Sequence, residues 1–118
     1  MTTVLIVLGG GLGAVLRYVA DGALRGRLSV WATAAINVSG SFVLGVLAGA
    51  VAGGGLGGTA LAVLGTGVCG GYTTFSTATI ETLTLLRDKR YRDGVVYGLS
   101  TLVASVVAVW SGYALGAL

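Results

Sequence analysis

The chain has 118 residues, of which 55% are hydrophobic and only 9% are charged, and its net charge is +3. Soluble globular domains carry roughly 25% charged residues, so this composition excludes an ordinary water-soluble fold and favours a membrane protein. Histidine is absent and Cys69 is the single cysteine, which excludes histidine-based catalysis, a typical zinc site and a disulfide within the chain. We therefore expect a protein that is not an enzyme.

A helix that spans a bilayer needs about 20 mostly apolar residues, and runs of that kind follow one another along the chain. The predicted spans are about Thr3 to Leu24, Val30 to Ala52, Thr59 to Leu86 and Gly94 to Ala117. A glycine-rich turn, residues 53–58, separates the second span from the third. Because all connections are short, we predict an all-α membrane protein with one four-helix transmembrane domain over residues 1–118.

The basic residues are concentrated in two of the predicted connections. The first connection holds Arg25 and Arg27, and the last holds Arg87, Lys89, Arg90 and Arg92. With four spans, these two connections fall on the same side of the membrane. The positive-inside rule then places them in the cytoplasm and both termini outside, and it predicts one fixed orientation.

Arg17 and Asp21 lie in the last turns of the first span, where a charged group is costly. Three interpretations of Arg17 stay open. Its guanidinium reaches the headgroups, or it forms an i,i+4 pair with Asp21, or it lines a vestibule that attracts anions.

Asn37 lies in the middle of the second span, with the hydroxyls of Ser39 and Ser41 nearby. An amide at this depth must find hydrogen-bond partners. It either bonds to another helix and holds the bundle together, or it is a neutral donor that faces an aqueous path.

The third span contains Gly70-Gly71-Tyr72-Thr73-Thr74, a poor sequence for a straight helix. We predict a local unwinding there, which is tolerated at membrane depth only where the backbone is buried in protein or lines a cavity. The freed carbonyls are suited to holding a cation. Glu81 follows about two turns later and is expected near a neighbouring hydroxyl or the membrane interface.

Tyr97, Thr101 and Ser105 are spaced i, i+4, i+8 in the fourth span, so they share one helix face. A lone hydroxyl often bonds its own helix at the i−4 carbonyl, but three in register favour a wet lining. Small residues also recur at the spacing typical of close helix packing, in the pairs Gly45 with Gly49, Gly94 with Gly98, and Gly112 with Gly116.

Three motifs, in their order and spacing, resemble the Fluc (CrcB) fluoride channels, and the resemblance covers the whole chain. They read Gly10-x-x-Gly13-Ala14-x-x-Arg17-Tyr18, then Asn37-x-x-Gly40-Ser41-Phe42-x-x-Gly45, then Gly70-Gly71-Tyr72-Thr73-Thr74-Phe75-Ser76-Thr77. The third motif is the most specific. The resemblance implies an antiparallel dimer in the inner (plasma) membrane, whose two pores export cytoplasmic fluoride by passive conduction.

The resemblance also implies roles for single residues. Backbone carbonyls of Gly70 and Thr73, from both subunits, would hold a central structural Na⁺. Arg17 would be the vestibule cation. The groups along the fluoride path would be Asn37, Ser41, Thr74, Phe75, Glu81, Tyr97, Thr101 and Ser105.

The chain departs from the pattern of this family at one place. The family usually has a second phenylalanine three residues after the first, where this chain has Ala78. Some members work as heterodimers of oppositely oriented paralogues, and the charge bias described above fits that arrangement. The partner is therefore expected to be either a second copy or a paralogue.

Two other functions compete with the channel. A small proton-coupled multidrug exporter has a similar length and number of spans, but it needs a membrane-embedded Glu in the first span, where this chain has Arg17. A non-conducting assembly subunit predicts no ion flux and an Asn37 that tolerates substitution.

Overall fold

The computed structural model describes residues 1–118, and every regular element in it is helical. The elements are α1 (Thr2–Leu28), α2 (Trp31–Ala52), α3 (Gly58–Ala60), a π-helix (Leu61–Cys69), α4 (Gly70–Tyr72), α5 (Phe75–Arg87) and α6 (Tyr91–Gly116). Three of these helices, α1, α2 and α6, are long and apolar enough to cross a membrane. At 1.5 Å per residue, even a helix of about 20 residues covers the roughly 30 Å of a hydrocarbon core.

The segment between α2 and α6 consists of two helical pieces. The first half-helix, residues 58–72, joins α3, the π-helix and α4 in one continuous run. The second is α5. Between them, Thr73 (φ −77°, ψ 158°) and Thr74 (φ −145°, ψ 114°) are extended. The Thr74 side chain accepts a hydrogen bond from Thr77 N, so a threonine N-cap starts α5 at this point.

Helices α2 and α6 pack backbone to backbone through glycines. A methyl group on Gly45 would collide with the Val109 carbonyl, and one on Gly112 would collide with the Phe42 carbonyl. Gly49 and Gly116 approach the opposite helix just as closely. The predicted role of these two pairs in close packing is confirmed. The third pair, Gly94 with Gly98, packs against side chains of α5 instead of backbone.

Helix α1 packs on the first half-helix in the same way. Gly9 and Gly13 are the only buried residues of α1, and they lie against Val63 and Val68. On the other side of this interface, Gly71 faces the backbone of Gly10. Most apolar side chains of α1 are exposed, which suits a helix that faces lipid.

The helix ends correct one expectation. Arg25 and Arg27 lie in the last turn of α1 and not in a connection, because α1 continues to Leu28 and only Ser29 and Val30 separate it from α2. Ser29 has a left-handed φ of 54°, which ends the helix and reverses the chain. Basic side chains in a last helical turn are favourable because they face the negative end of the helix dipole.

Candidate functional site

The extended backbone at Thr74 is held by the side chain of Asn37. Asn37 Nδ2 donates to the Thr74 carbonyl at 2.9 Å, and Thr74 N donates to Asn37 Oδ1 at 2.8 Å. One primary amide therefore satisfies both backbone groups of Thr74, as a neighbouring strand would. Asn37 keeps one N–H that this pair does not use.

This arrangement also changes the carbonyls around the interruption. In a continuous α-helix, Thr74 N would donate to the Gly70 carbonyl, but here it donates to Asn37. The Thr73 carbonyl accepts a hydrogen bond from Arg17 Nη1 at 3.3 Å. Of the three interpretations of Arg17, the i,i+4 pair with Asp21 is not formed, because the guanidinium turns toward the extended backbone and Asp21 binds Arg25.

A cavity of about 710 Å³, here the central cavity, lies beside the extended segment. It is lined by residues from α2, both parts of the interrupted segment and α6. Predicted site residues on its wall are Asn37, Ser41, Gly70, Thr73, Thr74, Phe75, Tyr97, Thr101 and Ser105. The interruption of the helix thus brings polar groups from three parts of the chain to one space.

Two hydroxyls on this wall have no partner in the protein. Thr101 Oγ1 and Ser105 Oγ are buried and make no hydrogen bond. Other hydroxyls behave differently, since Thr82 and Thr84 donate to the i−4 carbonyls of their own helix at 2.8 Å. Buried polar groups are nearly always paired, so two unpaired hydroxyls in register on a cavity wall indicate a site for a polar ligand or water.

A second cavity of about 390 Å³, here the basic cavity, lies between α1, α2 and the start of α5. Two guanidiniums, those of Arg17 and Arg25, line it together with the Asp21 carboxylate and hydroxyls of Thr33 and Thr77. Thr74 lines both cavities. The basic cavity and the central cavity therefore share one wall at the residue that Asn37 holds.

Glu81 lies outside both cavities but is bonded to the walls of each. Its Oε2 accepts from Tyr97 Oη at 2.8 Å, and its Oε1 accepts from Thr33 Oγ1 at 3.0 Å and from Arg25 Nη1 at 2.9 Å. Tyr97 is buried, and the Trp31 ring meets its ring edge-on at 5.3 Å. The expected neighbouring hydroxyl of Glu81 is thus provided twice.

Sequence reasoning missed Arg25 and Thr33 as members of this site. Thr33 was detectable, because Thr33, Asn37 and Ser41 are spaced i, i+4, i+8, the same pattern that singles out the polar row of α6. Arg25 was also detectable, since it lies four residues after Asp21 just as Arg17 lies four residues before it.

Phe75 has a different placement from the other predicted residues. Its side chain borders the central cavity but is 87% exposed, so most of its ring projects away from the chain. Ala78, one turn later, lines the same cavity.

Long apolar helices around two neighbouring cavities define the class of this molecule, a multi-pass membrane protein. Residues 4–113 match the family model described as CrcB-like protein, Camphor Resistance (CrcB). The chain is 45% identical to "Fluoride-specific ion channel FluC 1" of Leifsonia xyli subsp. xyli, over 96% of this chain and 85% of that protein. It is 41% identical to "Fluoride-specific ion channel FluC 2" of Rhodococcus jostii, over 98% of each chain. It is 36% identical to "Fluoride-specific ion channel FluC" of Thermus thermophilus, over 95% of this chain and 92% of that protein. The chain belongs to the CrcB family.

Proposed function

We propose that this protein is a fluoride-specific channel subunit that lets toxic cytoplasmic fluoride leave the cell by passive conduction. The observation that carries the proposal is the pair of unpartnered hydroxyls, Thr101 and Ser105, on the wall of the central cavity. The family of the chain and the printed names of its relatives point to the same ion.

Neutral hydrogen-bond donors suit fluoride for a physical reason. The ion is small and strongly hydrated, so a pore must replace its water without binding it too tightly to release it. Hydroxyls, amide N–H groups and the positive edge of an aromatic ring offer this replacement without a full charge. Thr101, Ser105 and the spare N–H of Asn37 are groups of this kind.

The two cavities suggest a route for the ion. Arg17, which forms no ion pair, would attract anions into the basic cavity, and Thr74 is the wall that this cavity shares with the central cavity. The ion would then pass Asn37 and Ser41 and follow the row formed by Tyr97, Thr101 and Ser105. The unpaired positive charge of Arg17 lies at the entrance and the neutral donors lie deeper, as reversible conduction requires.

The complete channel would be an antiparallel dimer. In this assembly residues 58–87 form the fourth crossing, with the extended pair Thr73 and Thr74 at mid-membrane, where irregular backbone is tolerated if protein buries it. The 87% exposure of Phe75 supports this arrangement, because an aromatic ring on the open side of the central cavity is available to a partner subunit.

A central Na⁺ fits the residues present at the interruption. Na⁺ is a hard cation that prefers oxygen ligands, and backbone carbonyls released from a helix supply them. The Gly70 carbonyl lacks its usual i+4 donor, Thr74 N, because Asn37 takes it. The Gly70 and Thr73 carbonyls of two chains would hold the ion, which would add a fixed positive charge and join the subunits.

The identity of the partner subunit depends on Ala78, which lines the central cavity where the family usually has a second phenylalanine. We propose that this chain prefers an oppositely oriented paralogue that supplies the missing ring. Co-expression with a paralogue of reversed Lys/Arg distribution is expected to give more channel activity than this chain alone. Full activity of the purified homodimer would contradict this preference.

Fluoride efflux from liposomes tests the proposed function. Reconstituted protein is expected to release fluoride, measured with a fluoride electrode, and to retain chloride. Asn37→Asp should abolish release because it places a negative charge on the path. Ser39→Ala is the matched control, since Ser39 is outside both cavities and its hydroxyl contacts Tyr72 on the exposed side.

The competing functions predict other results. Uptake of organic cations driven by a proton gradient, without fluoride release, would indicate an exporter. The absence of ion flux with any partner, together with an Asn37→Asp protein that assembles normally, would indicate an assembly subunit.

A further inference from the structure

A carboxylate that the fluoride path must tolerate lies beside the two cavities. Glu81 links residues of the two cavities. One of its carboxylate oxygens accepts from Tyr97, which lines the central cavity. The other accepts from Arg25 and Thr33, which line the basic cavity. The Glu81 side chain is only 14% exposed. A negative charge here repels an anion on either side, and little water is available to screen it.

Arg25 is the cation that compensates this charge. Its Nη1 donates to Glu81 Oε1, while its Nη2 bonds both Asp21 and Thr33. Asp21 is 38% exposed and is partly solvated, whereas the more deeply buried Glu81 has no other cationic partner. The planar guanidinium can bind two carboxylates and a hydroxyl in one fixed arrangement, which a lysine cannot reproduce.

We propose that Arg25 is a positioning residue for conduction, which neutralises Glu81 and fixes its carboxylate between the residues of the two cavities that it bonds. This proposal rests on the proposed channel function. By fixing Oε1, Arg25 also directs Oε2 at the hydroxyl of Tyr97, the first member of the polar row on α6. Neither sequence nor resemblance assigns Arg25 a role of this kind.

A double-mutant cycle on the full chain in liposomes tests the coupling. Arg25→Gln is expected to lower the fluoride efflux rate about tenfold, because a coupling of about 1.4 kcal/mol corresponds to a factor of ten. In the Glu81→Gln background the same change is expected to cause less than a twofold further loss, since the buried charge that Arg25 compensates is gone and the remaining partner, Asp21, is partly solvated. Arg25→Lys should recover part of the rate because it keeps the charge.

Arg27→Gln is the matched control. It removes the same charge from the same helix end, but Arg27 forms none of the ion pairs of the chain. Its efflux rate is expected to stay within twofold of the parent rate. Thermal unfolding in detergent provides a second readout, in which Arg25→Gln lowers the melting temperature and the added Glu81→Gln restores part of it.

Three results would overturn the role of Arg25. The first is an Arg25→Gln protein that releases fluoride at the same rate as Arg27→Gln. The second is an equal loss of efflux rate in the parent and in the Glu81→Gln background, which would mean that Arg25 attracts anions directly. The third is a loss of protein stability without any change in flux per reconstituted dimer. Failure of the parent protein itself to release fluoride would instead refute the proposed function.

Discussion

At the scale of single residues, the central feature is the amide of Asn37. The side chain bonds the N–H and the carbonyl of Thr74 at the same time, so its donor and its acceptor are both required. An aspartate supplies only acceptors, and a leucine supplies neither. The two interpretations of Asn37 that the sequence leaves open are compatible, because the amide bonds another segment and also lines the central cavity.

Asn37→Leu is expected to destabilise the protein by about 1–3 kcal/mol for each backbone group of Thr74 that loses its partner. Thermal unfolding in detergent measures this loss. Ser39→Ala, two residues away on the exposed side, is the control and should change the melting temperature little. Equal melting temperatures for the two variants would mean that water replaces the amide at Thr74.

The hydroxyl of Ser105 offers the opposite case. Because it is buried and has no partner, its removal costs the fold no hydrogen bond. Ser105→Ala is therefore expected to keep or raise the melting temperature, while the fluoride efflux rate falls at least several-fold. Thr84→Val, which removes a hydroxyl bonded to its own helix at Ile80, should leave the efflux unchanged. A Ser105→Ala protein with normal efflux would remove Ser105 from the path.

At the scale of helices, the fold depends on close contacts made by glycine. The sequence supported this role for the pairs in α2 and α6, because small residues four apart lie on one helix face. It did not distinguish Gly94 and Gly98, which have the same spacing but face side chains of α5. Spacing defines a face of a helix, and only the tertiary structure decides what covers it.

Gly112→Ala tests the packing of α6 on α2. The added methyl group would collide with the Phe42 backbone carbonyl, which cannot move aside without shifting the helix. We expect a destabilisation of about 1–3 kcal/mol or more, seen as a lower melting temperature and a lower yield of folded protein. Gly22→Ala in α1 is the control, because nothing lies within 4 Å of its added methyl group. A neutral Gly112→Ala would show that these helices are packed more loosely.

The π-helical conformation of residues 61–69 could not be predicted from the sequence. Their π-helical winding differs from an α-helix by one residue per hydrogen-bonded turn, and hydropathy patterns do not distinguish the two. The last turn of α1 was also missed, because an apolar pattern ends before the charged Arg25 and Arg27. Within the helix Arg25 pairs with Asp21 and with Glu81, and the second of these partners is 56 residues away and is not visible in a hydropathy pattern.

At the scale of the whole molecule, the basic residues gather at one end of the bundle. Arg25 at the end of α1 contacts Glu81 on α5, the helix that ends at Arg87, so both basic turns are adjacent. The glycine-rich turn, residues 53–58, carries no charge. A bilayer protein with this distribution is expected to insert with its basic end in the cytoplasm.

Labelling from outside the cell measures this orientation. A cysteine introduced as Gly55→Cys is expected to react with a membrane-impermeant maleimide in intact cells, whereas Lys89→Cys should react only after lysis. Cys69 is buried, so its own reaction with the maleimide should be low, and labelling of the parent protein measures it. Equal reaction at both introduced positions would indicate a dual orientation and would weaken the preference for an oppositely oriented paralogue.

The way the helices pair has a consequence for synthesis in the membrane. Helix α2 packs most extensively on α6, and α1 packs mainly on the first half-helix, while α1 and α2 contact each other less. The glycine faces of the first two helices thus stay without their partners until later parts of the chain leave the ribosome. A nascent chain that ends after α2 would expose both faces to lipid. Tight assembly would begin when the first half-helix packs on α1, and it would finish only when α6 reaches α2 near the end of translation.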